Sequence, residues 1–376
     1  MRVRSAVLRE MGAPPPYADS RPLEIVEVEL EGPGPGELLV RVGAAGLCHS
    51  DLSVIDGSRP RVMPMALGHE AAGEVIEAGT GVEAFAPGDH VVLAFVPACG
   101  SCEPCLAGRS ALCEPGAAAN AAGTLLSGER RLGALDGEPL NHHLGVSAFS
   151  DHIVVSEASA VKVDPELPFE LAALFGCAVL TGVGAAVNSA RIEPGQRVAV
   201  FGLGGVGLSA LLGAVLQGAE TIVAVDVVPE KLELALELGA THAVGAGPGA
   251  VAEIREVTAG GADHAIETVG SAAVLADAYA ATRRGGETTT VGLPDPTQIL
   301  SIPAVGLVAE ERTLRGSYLG SSVPSRDLPR FIDLHREGRL PVERLLTHRL
   351  TLDEVNEGFD RLASGEAVRQ AIVFGG

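Results

Sequence analysis

This sequence predicts an α/β fold in which a doubly wound parallel sheet is joined to an irregular, mostly β region. Three observations carry that prediction. From Arg197 onward strand and helix patterns alternate, which implies parallel strands with crossover helices. Earlier in the chain, short apolar runs are broken repeatedly by Gly and Pro, the pattern of short strands and long loops. The chain has 376 residues, 47% hydrophobic and 20% charged, so it can fill two cores and is too apolar to stay disordered.

In the first region, residues 38–42, 72–77, 90–95 and 152–155 read as strands. Around 170–190 the residues turn small, apolar and helix-compatible. Then 197–201 reads as a strand, 206–217 as a helix, 221–225 as a strand, and 230–238 as a helix stopped by Gly239. Later strands are expected at 264–268 and 288–291, a helix near 328–337, and a last strand near 370–374. The expected division is 1–180, completed by 320–376, against 181–319.

Charge narrows the function. Lys and Arg number 27 against 48 Asp and Glu, a net charge of −21. Such a surface repels phosphate backbones and anionic lipid, so neither nucleic acid nor a membrane is an expected partner. Arg9 and Glu10 interrupt the first apolar run, which argues against an export signal. A cytoplasmic, reducing compartment is therefore expected, where cysteines serve as ligands more often than disulfides. Residues 198–219 are uncharged over the length of a membrane span. Four glycines crowd their first half, so a strand, a tight turn and a buried helix are predicted instead.

All six cysteines fall into two metal-ligand patterns. Cys99, Cys102, Cys105 and Cys113 form C-x2-C-x2-C-x7-C, and four thiolates close a tetrahedral zinc. Cys48 and Cys177, with His69, supply two thiolates and an imidazole, which leave the fourth position open, as a catalytic zinc requires. Two zinc ions per chain are expected.

The nucleotide signal is Gly202-x-Gly204-x-x-Gly207, directly after one predicted strand and opening a helix. Gly202 makes the turn, Gly204 lets the backbone approach a pyrophosphate, and Gly207 packs helix against strand. The N–H groups that open the helix, at Gly205 and Val206, face the phosphates. Asp226 closes the next strand, where a carboxylate accepts hydrogen bonds from ribose hydroxyls and repels a 2′-phosphate. NAD is expected over NADP.

With these residues in view, the chain resembles the zinc-dependent medium-chain dehydrogenase/reductase family, whose best-known members are alcohol dehydrogenases. The resemblance runs nearly end to end. It rests on Cys48-His49-Ser50-Asp51, Gly68-His69-Glu70, the run from Phe175 to Gly182 around Cys177, the four-cysteine cluster, the glycine fingerprint and Val368-Arg369-Gln370. It implies a GroES-like catalytic domain beside a Rossmann domain. It makes Cys48, His69 and Cys177 the catalytic zinc ligands, with Glu70 behind the metal and Asp51 orienting His69. Ser50 would hold the substrate oxygen and pass on its proton. His49 and Arg369 would approach the pyrophosphate, Thr181, Val291 and Leu293 the nicotinamide, and Lys231 the adenosine ribose. Arg59, Phe95, Leu144, Leu293 and Tyr318 would line the substrate pocket. His142, His143 and His152 would be loop or pocket polar groups and not zinc ligands.

The implied activity is hydride transfer between a primary or aryl alcohol, or its aldehyde, and NAD. Residues 114–145 resemble the longer loop of the animal-type and glutathione-dependent formaldehyde dehydrogenase branches. That implies a homodimer, paired by edge strands near 300–302. The chain departs from the family in several places. Ser53 stands where several members end their proton relay in a histidine, so the relay is expected to end in water or buffer. Ala178 replaces the glycine that often follows the third ligand. Ser58-Arg59-Pro60-Arg61 replaces the acidic pocket mouth of the glutathione-dependent branch, which argues against the alternative substrate, an S-hydroxymethyl thiol adduct. A non-catalytic nucleotide-binding protein is the alternative of another class. The joint presence of Cys48, His69, Cys177 and Ser50 argues against it.

Overall fold

The computed structural model describes residues 1–375. They form two compact units: Met1–Cys177 with Val323–Pro329 and Leu346–Gly376, and Ala178–Ser322 with Arg330–Leu345.

The first unit holds a closed barrel and a seven-stranded sheet. The barrel runs Arg2–Leu8, Leu23–Leu30, Leu132–Ala134, Pro139–His142 and Met65–Ala66. The 114–145 segment, expected as a loop, is therefore ordered: it gives the helix Glu114–Ala122 and two barrel strands. In the larger sheet, Glu37–Gly46 lies between Glu70–Ala78 and Arg369–Val373, and it also pairs His152–Ser156. Along it Val40 and Val42 are buried while Arg41 between them is exposed and pairs with Glu74, the period of two of a strand with one face in the core. That core gathers Leu38, Val40, Val42, Val75, Ile153, Phe149 and Phe359. The C-terminal strand pairs Ala371 with Gly46, which brings the chain's end to the segment that precedes Cys48.

The second unit is a six-stranded parallel sheet in the order His242–Gly245, Thr221–Asp226, Arg197–Phe201, Ala262–Glu267, Thr282–Thr290, Thr313–Gly316. In chain order this is 3-2-1-4-5-6, the doubly wound Rossmann arrangement, with its topological switch beside the first strand. The stretch 198–219 is strand, turn and the helix Gly205–Leu216, as predicted. The long apolar helix lies elsewhere, at Phe169–Ser189. Its most apolar window has a mean hydropathy of 1.8, enough in length and composition to cross a membrane, yet 83% of that window is buried in protein. Residues 300–302, expected at an edge of the nucleotide-binding sheet, lie outside its strands; its edges are His242–Gly245 and Thr313–Gly316.

Candidate metal centre and nucleotide site

Three backbone features bring the open ligand set together. Cys48 stands at the N-terminus of the helix His49–Ile55. His69 precedes the strand Glu70–Ala78. Cys177 sits in a π-helical turn, Phe175–Val179, a wider turn that re-aims side chains and recurs at functional positions. One ligand atom from each of the three lies within 4.8 Å of the others, and all three residues are buried.

The imidazole of His69 is oriented before any metal arrives. Its Nδ1 lies 3.0 Å from Oδ1 of Asp51, whose carboxylate is wholly buried and also accepts the Gly68 N–H at 3.2 Å. Nε2 of His69 is buried with no hydrogen-bond partner among the described residues. An orphaned buried nitrogen beside two sulfurs is costly unless something fills the space between them. Phe95 meets the ring edge-on, with centroids 5.4 Å apart.

The charges agree. The hydrogen bond from Cys177 holds the Cys48 thiol well below the usual range, and His69 adds to this. Cys177 is correspondingly raised, first by that same bond and then by burial. Burial opposes charge on His69, but the Asp51 carboxylate outweighs it and holds the imidazole well above its usual range. The Cys177 thiol and the His69 imidazole together hold negative charge on Cys48. Two sulfurs and an imidazole nitrogen within 4.8 Å of one another form a donor set that fits zinc, whose binding would release the remaining protons.

Glu70 faces Gly46 across the strand pair, and a β-carbon on Gly46 would sit 2.2 Å from its Oε1. Only glycine lets the carboxylate lie there. Oε2 of Glu70 is ion-paired with Arg369, both side chains being buried, while Oε1 has no partner. Arg369, expected at a pyrophosphate, places one terminal guanidinium nitrogen on Glu70. Burial raises the Glu70 carboxyl and Arg369 only partly offsets it.

The other cluster is equally well formed. Cys99, Cys102, Cys105 and Cys113 place their sulfurs within 4.8 Å of one another, and Cys102 and Cys113 are 4.0 Å apart. Zinc–sulfur bonds of about 2.3 Å imply a tetrahedral edge near 3.8 Å, so the spacing fits. Backbone N–H groups of Cys99 and Gly116 point at Sγ of Cys113 at 3.2 and 3.4 Å.

In the second unit, Gly202 has φ 87°, the left-handed turn the fingerprint requires. The carboxylate of Asp226 accepts the Leu203 N–H at 2.6 Å and the Val228 N–H at 2.9 Å, so it fixes the glycine turn itself. Burial lowers the Lys231 ammonium, partly offset by Asp226. Thr181 is buried with Oγ1 unpartnered. Val291 follows the strand Thr282–Thr290, and Leu293 is half exposed, as Tyr318 is partly.

In the first unit, His49 is exposed, Ser50 and Arg59 are half-buried, and Leu144 is buried with φ 52°. Ser53 donates its hydroxyl to the Ser50 carbonyl at 3.0 Å.

One residue escaped sequence reasoning, and another was read without its role. Glu267 accepts the N–H groups of Val269 and Gly270 and the Thr290 hydroxyl, and its carbonyl accepts the Val291 N–H, so it anchors the segment that carries Val291. A carboxylate ending an otherwise apolar strand was the available signal. His143 lies with Nδ1 3.0 Å from Oδ1 of Asp51 and its ring 5.5 Å from that of His69. The sequence reading of His143 as a loop or pocket polar group, and not a zinc ligand, did not foresee its place beside Asp51.

Comparison with known proteins places these sites in context. The zinc-binding dehydrogenase family matches residues 205–337, and the alcohol dehydrogenase GroES-like domain matches residues 34–165. An S-(hydroxymethyl)glutathione dehydrogenase of Paracoccus denitrificans is 36% identical over the whole of both chains. An NDMA-dependent alcohol dehydrogenase of Amycolatopsis methanolica is 39% identical over 99% of each. Among solved structures, a benzyl alcohol dehydrogenase from Acinetobacter calcoaceticus superposes with a TM-score of 0.92 at 32% identity, covering both chains fully.

Proposed function

The chain belongs to the zinc-dependent medium-chain alcohol dehydrogenases, and on that footing we propose that it moves a hydride between a primary or aryl alcohol, or its aldehyde, and NAD. The carrying observation is the buried Cys48, His69 and Cys177 set with its unpartnered Nε2. Three ligands leave a position for a substrate oxygen, and a zinc ion there would supply Lewis acidity near neutral pH. The four-cysteine cluster would take a second zinc and serve structure alone.

The chain's own groups divide the remaining work. Asp51 holds the His69 Nδ1–H and so turns Nε2 toward the metal position. Glu70 and Arg369 keep a balanced charge behind it. Ser50 takes the alcohol proton and passes it outward. Ser53, whose hydroxyl is turned onto the Ser50 carbonyl, offers no base, so the proton leaves to water or buffer. Asp226, at the strand end beside the glycine turn, favours NAD by repelling a 2′-phosphate. His49, Thr181, Lys231, Val291 and Leu293 complete the cofactor site, and Phe95, Leu144, Arg59 and Tyr318 the substrate site. A homodimer in the cytoplasm is the expected form.

A second reading has its own support. The full-length relative from Paracoccus denitrificans is named for S-(hydroxymethyl)glutathione, which favours the thiol-adduct substrate. The benzyl alcohol neighbour favours the aryl one. NADH appearance decides between them, with ethanol, benzyl alcohol, a hydroxy acid and S-hydroxymethylglutathione as substrates and with NADP and NDMA in parallel arms. Turnover of benzyl alcohol with NAD supports the leading proposal. Turnover confined to the glutathione adduct replaces it with the second. Silence in every arm, from protein lacking metal at the open set, would point to a non-catalytic nucleotide binder.

A further inference from the structure

We propose that His143 is a positioning residue for the metal ligand His69, acting through the carboxylate that the two imidazoles share. The inference rests on reading Cys48, His69 and Cys177 as the metal site.

Oδ1 of Asp51 has three nitrogen neighbours: Nδ1 of His69 at 3.0 Å, Nδ1 of His143 at 3.0 Å and the Gly68 amide at 3.2 Å. Oδ2 has none and is buried. The His143 approach has hydrogen-bond length, although its ring is not aligned for a linear bond. Among the described residues neither ring nitrogen of His143 has an aligned hydrogen-bond partner, and the residue is 1% exposed. A buried imidazole in that setting has one polar anchor, Asp51.

The ring is held by its own loop and not by the metal position. The His143 N–H donates to Oγ of Ser147 at 3.0 Å, and the His143 carbonyl accepts the N–H groups of Val146 and Ser147. On the far side of that clamp, His143 meets the His69 ring at 88°, while Phe95 meets it at 90°. Two crossing rings restrict rotation of His69. The His143 Nδ1 gives Asp51 a second imidazole contact that keeps its charged oxygen facing His69. Removing that donor leaves Asp51 fewer restraints on the oxygen that orients His69, and partners of this kind change metal affinity by roughly 10–100-fold.

The test compares wild type, His143→Phe and His143→Asn in the full chain. Each is stripped of metal and titrated with Co2+, and the absorption bands of the open site are recorded. Phenylalanine keeps a ring and removes the donor, while asparagine restores an N–H near the position of Nδ1. The expected result for H143F is at least a tenfold fall in Co2+ affinity at the open site, shifted bands and an unchanged four-cysteine site, with H143N recovering much of the loss. Wild-type affinity and bands in H143F would overturn the proposal. So would an H143N as impaired as H143F, because packing alone would then explain the effect. Failure of the underlying reading looks different: the wild type itself would take up one metal per chain.

Discussion

Gly207→Ala gives a local and quantitative check on the nucleotide turn. A β-carbon at Gly207 would lie 1.7 Å from the Gly202 carbonyl oxygen and 2.9 Å from Oγ1 of Thr268. Neither neighbour is loose. Gly202 donates its N–H to Val225 at 2.8 Å, and the Thr268 hydroxyl lies 3.0 Å from the carbonyls of both Phe201 and Gly202. The turn must therefore open by more than about 1 Å, at the ~1–3 kcal/mol of overpacking. At about 2–4 °C per kcal/mol for a domain of this size, Tm should fall by roughly 2–12 °C. Gly204→Ala is the control, because nothing lies within 4 Å of its added carbon. Losing a glycine N-cap costs up to about 1 kcal/mol, and the smaller unfolded-state entropy returns about 0.4–1 kcal/mol, so its Tm should barely move. Its carbon nevertheless fills the space assigned to the pyrophosphate. Thermal melts and NADH fluorescence titrations read both effects. We expect G207A to lose stability and at least tenfold in NADH affinity, which is about 1.4 kcal/mol. We expect G204A to lose affinity alone. A G207A protein with wild-type Tm and wild-type NADH binding would refute the reasoning.

Arg369→Met should cost about 3–5 kcal/mol, because it strands the buried Glu70 carboxylate, and the double variant E70Q/R369M should recover most of this in thermal melts. Asp263 accepts hydrogen bonds from Arg197 and Arg283; burial alone would raise its carboxyl, but these bonds hold it down to about 2. Its folded pKa lies below the unfolded value of about 3.9, so its stabilisation is full above that pH and is lost as pH falls toward 2. The Tm gap between wild type and D263N should therefore be widest above about pH 4 and narrow below it. If the proposed relay through Ser50 meets no base at Ser53, imidazole buffer should speed alcohol oxidation at low pH, and Ser53→His should remove that dependence in stopped-flow rates.

The four-cysteine pattern was legible because zinc chemistry restricts residue type and spacing, whereas Cys48, His69 and Cys177, far apart in sequence, were legible through residue type and the flanking motifs that carry the family resemblance. The second half was legible because a parallel sheet repeats its strand–helix unit, and the predicted 197–201 and 206–217 fall within a residue or so of Arg197–Phe201 and Gly205–Leu216. The first half hid more. The helix Phe169–Ser189 falls where 170–190 read as helix-compatible, but it is apolar on nearly every face, and its π-helical turns leave no local signature. The 114–145 segment reads as a loop because its strands are three and four residues long and need barrel partners from the N-terminal strands. The ion pair of Arg369 with Glu70, 299 residues apart, and the approach of His143 to Asp51 are products of tertiary packing. No sequence period encodes them.

The central claim is that Cys48, His69 and Cys177 hold the metal on which turnover depends. Zinc per chain, counted alongside alcohol turnover in wild type, Cys177→Ser and Cys105→Ser, tests it most directly. The account predicts two zincs and turnover in the wild type. It predicts one zinc and no turnover in C177S, and loss of the other zinc in C105S. A C177S protein that keeps two zincs and full turnover would contradict it.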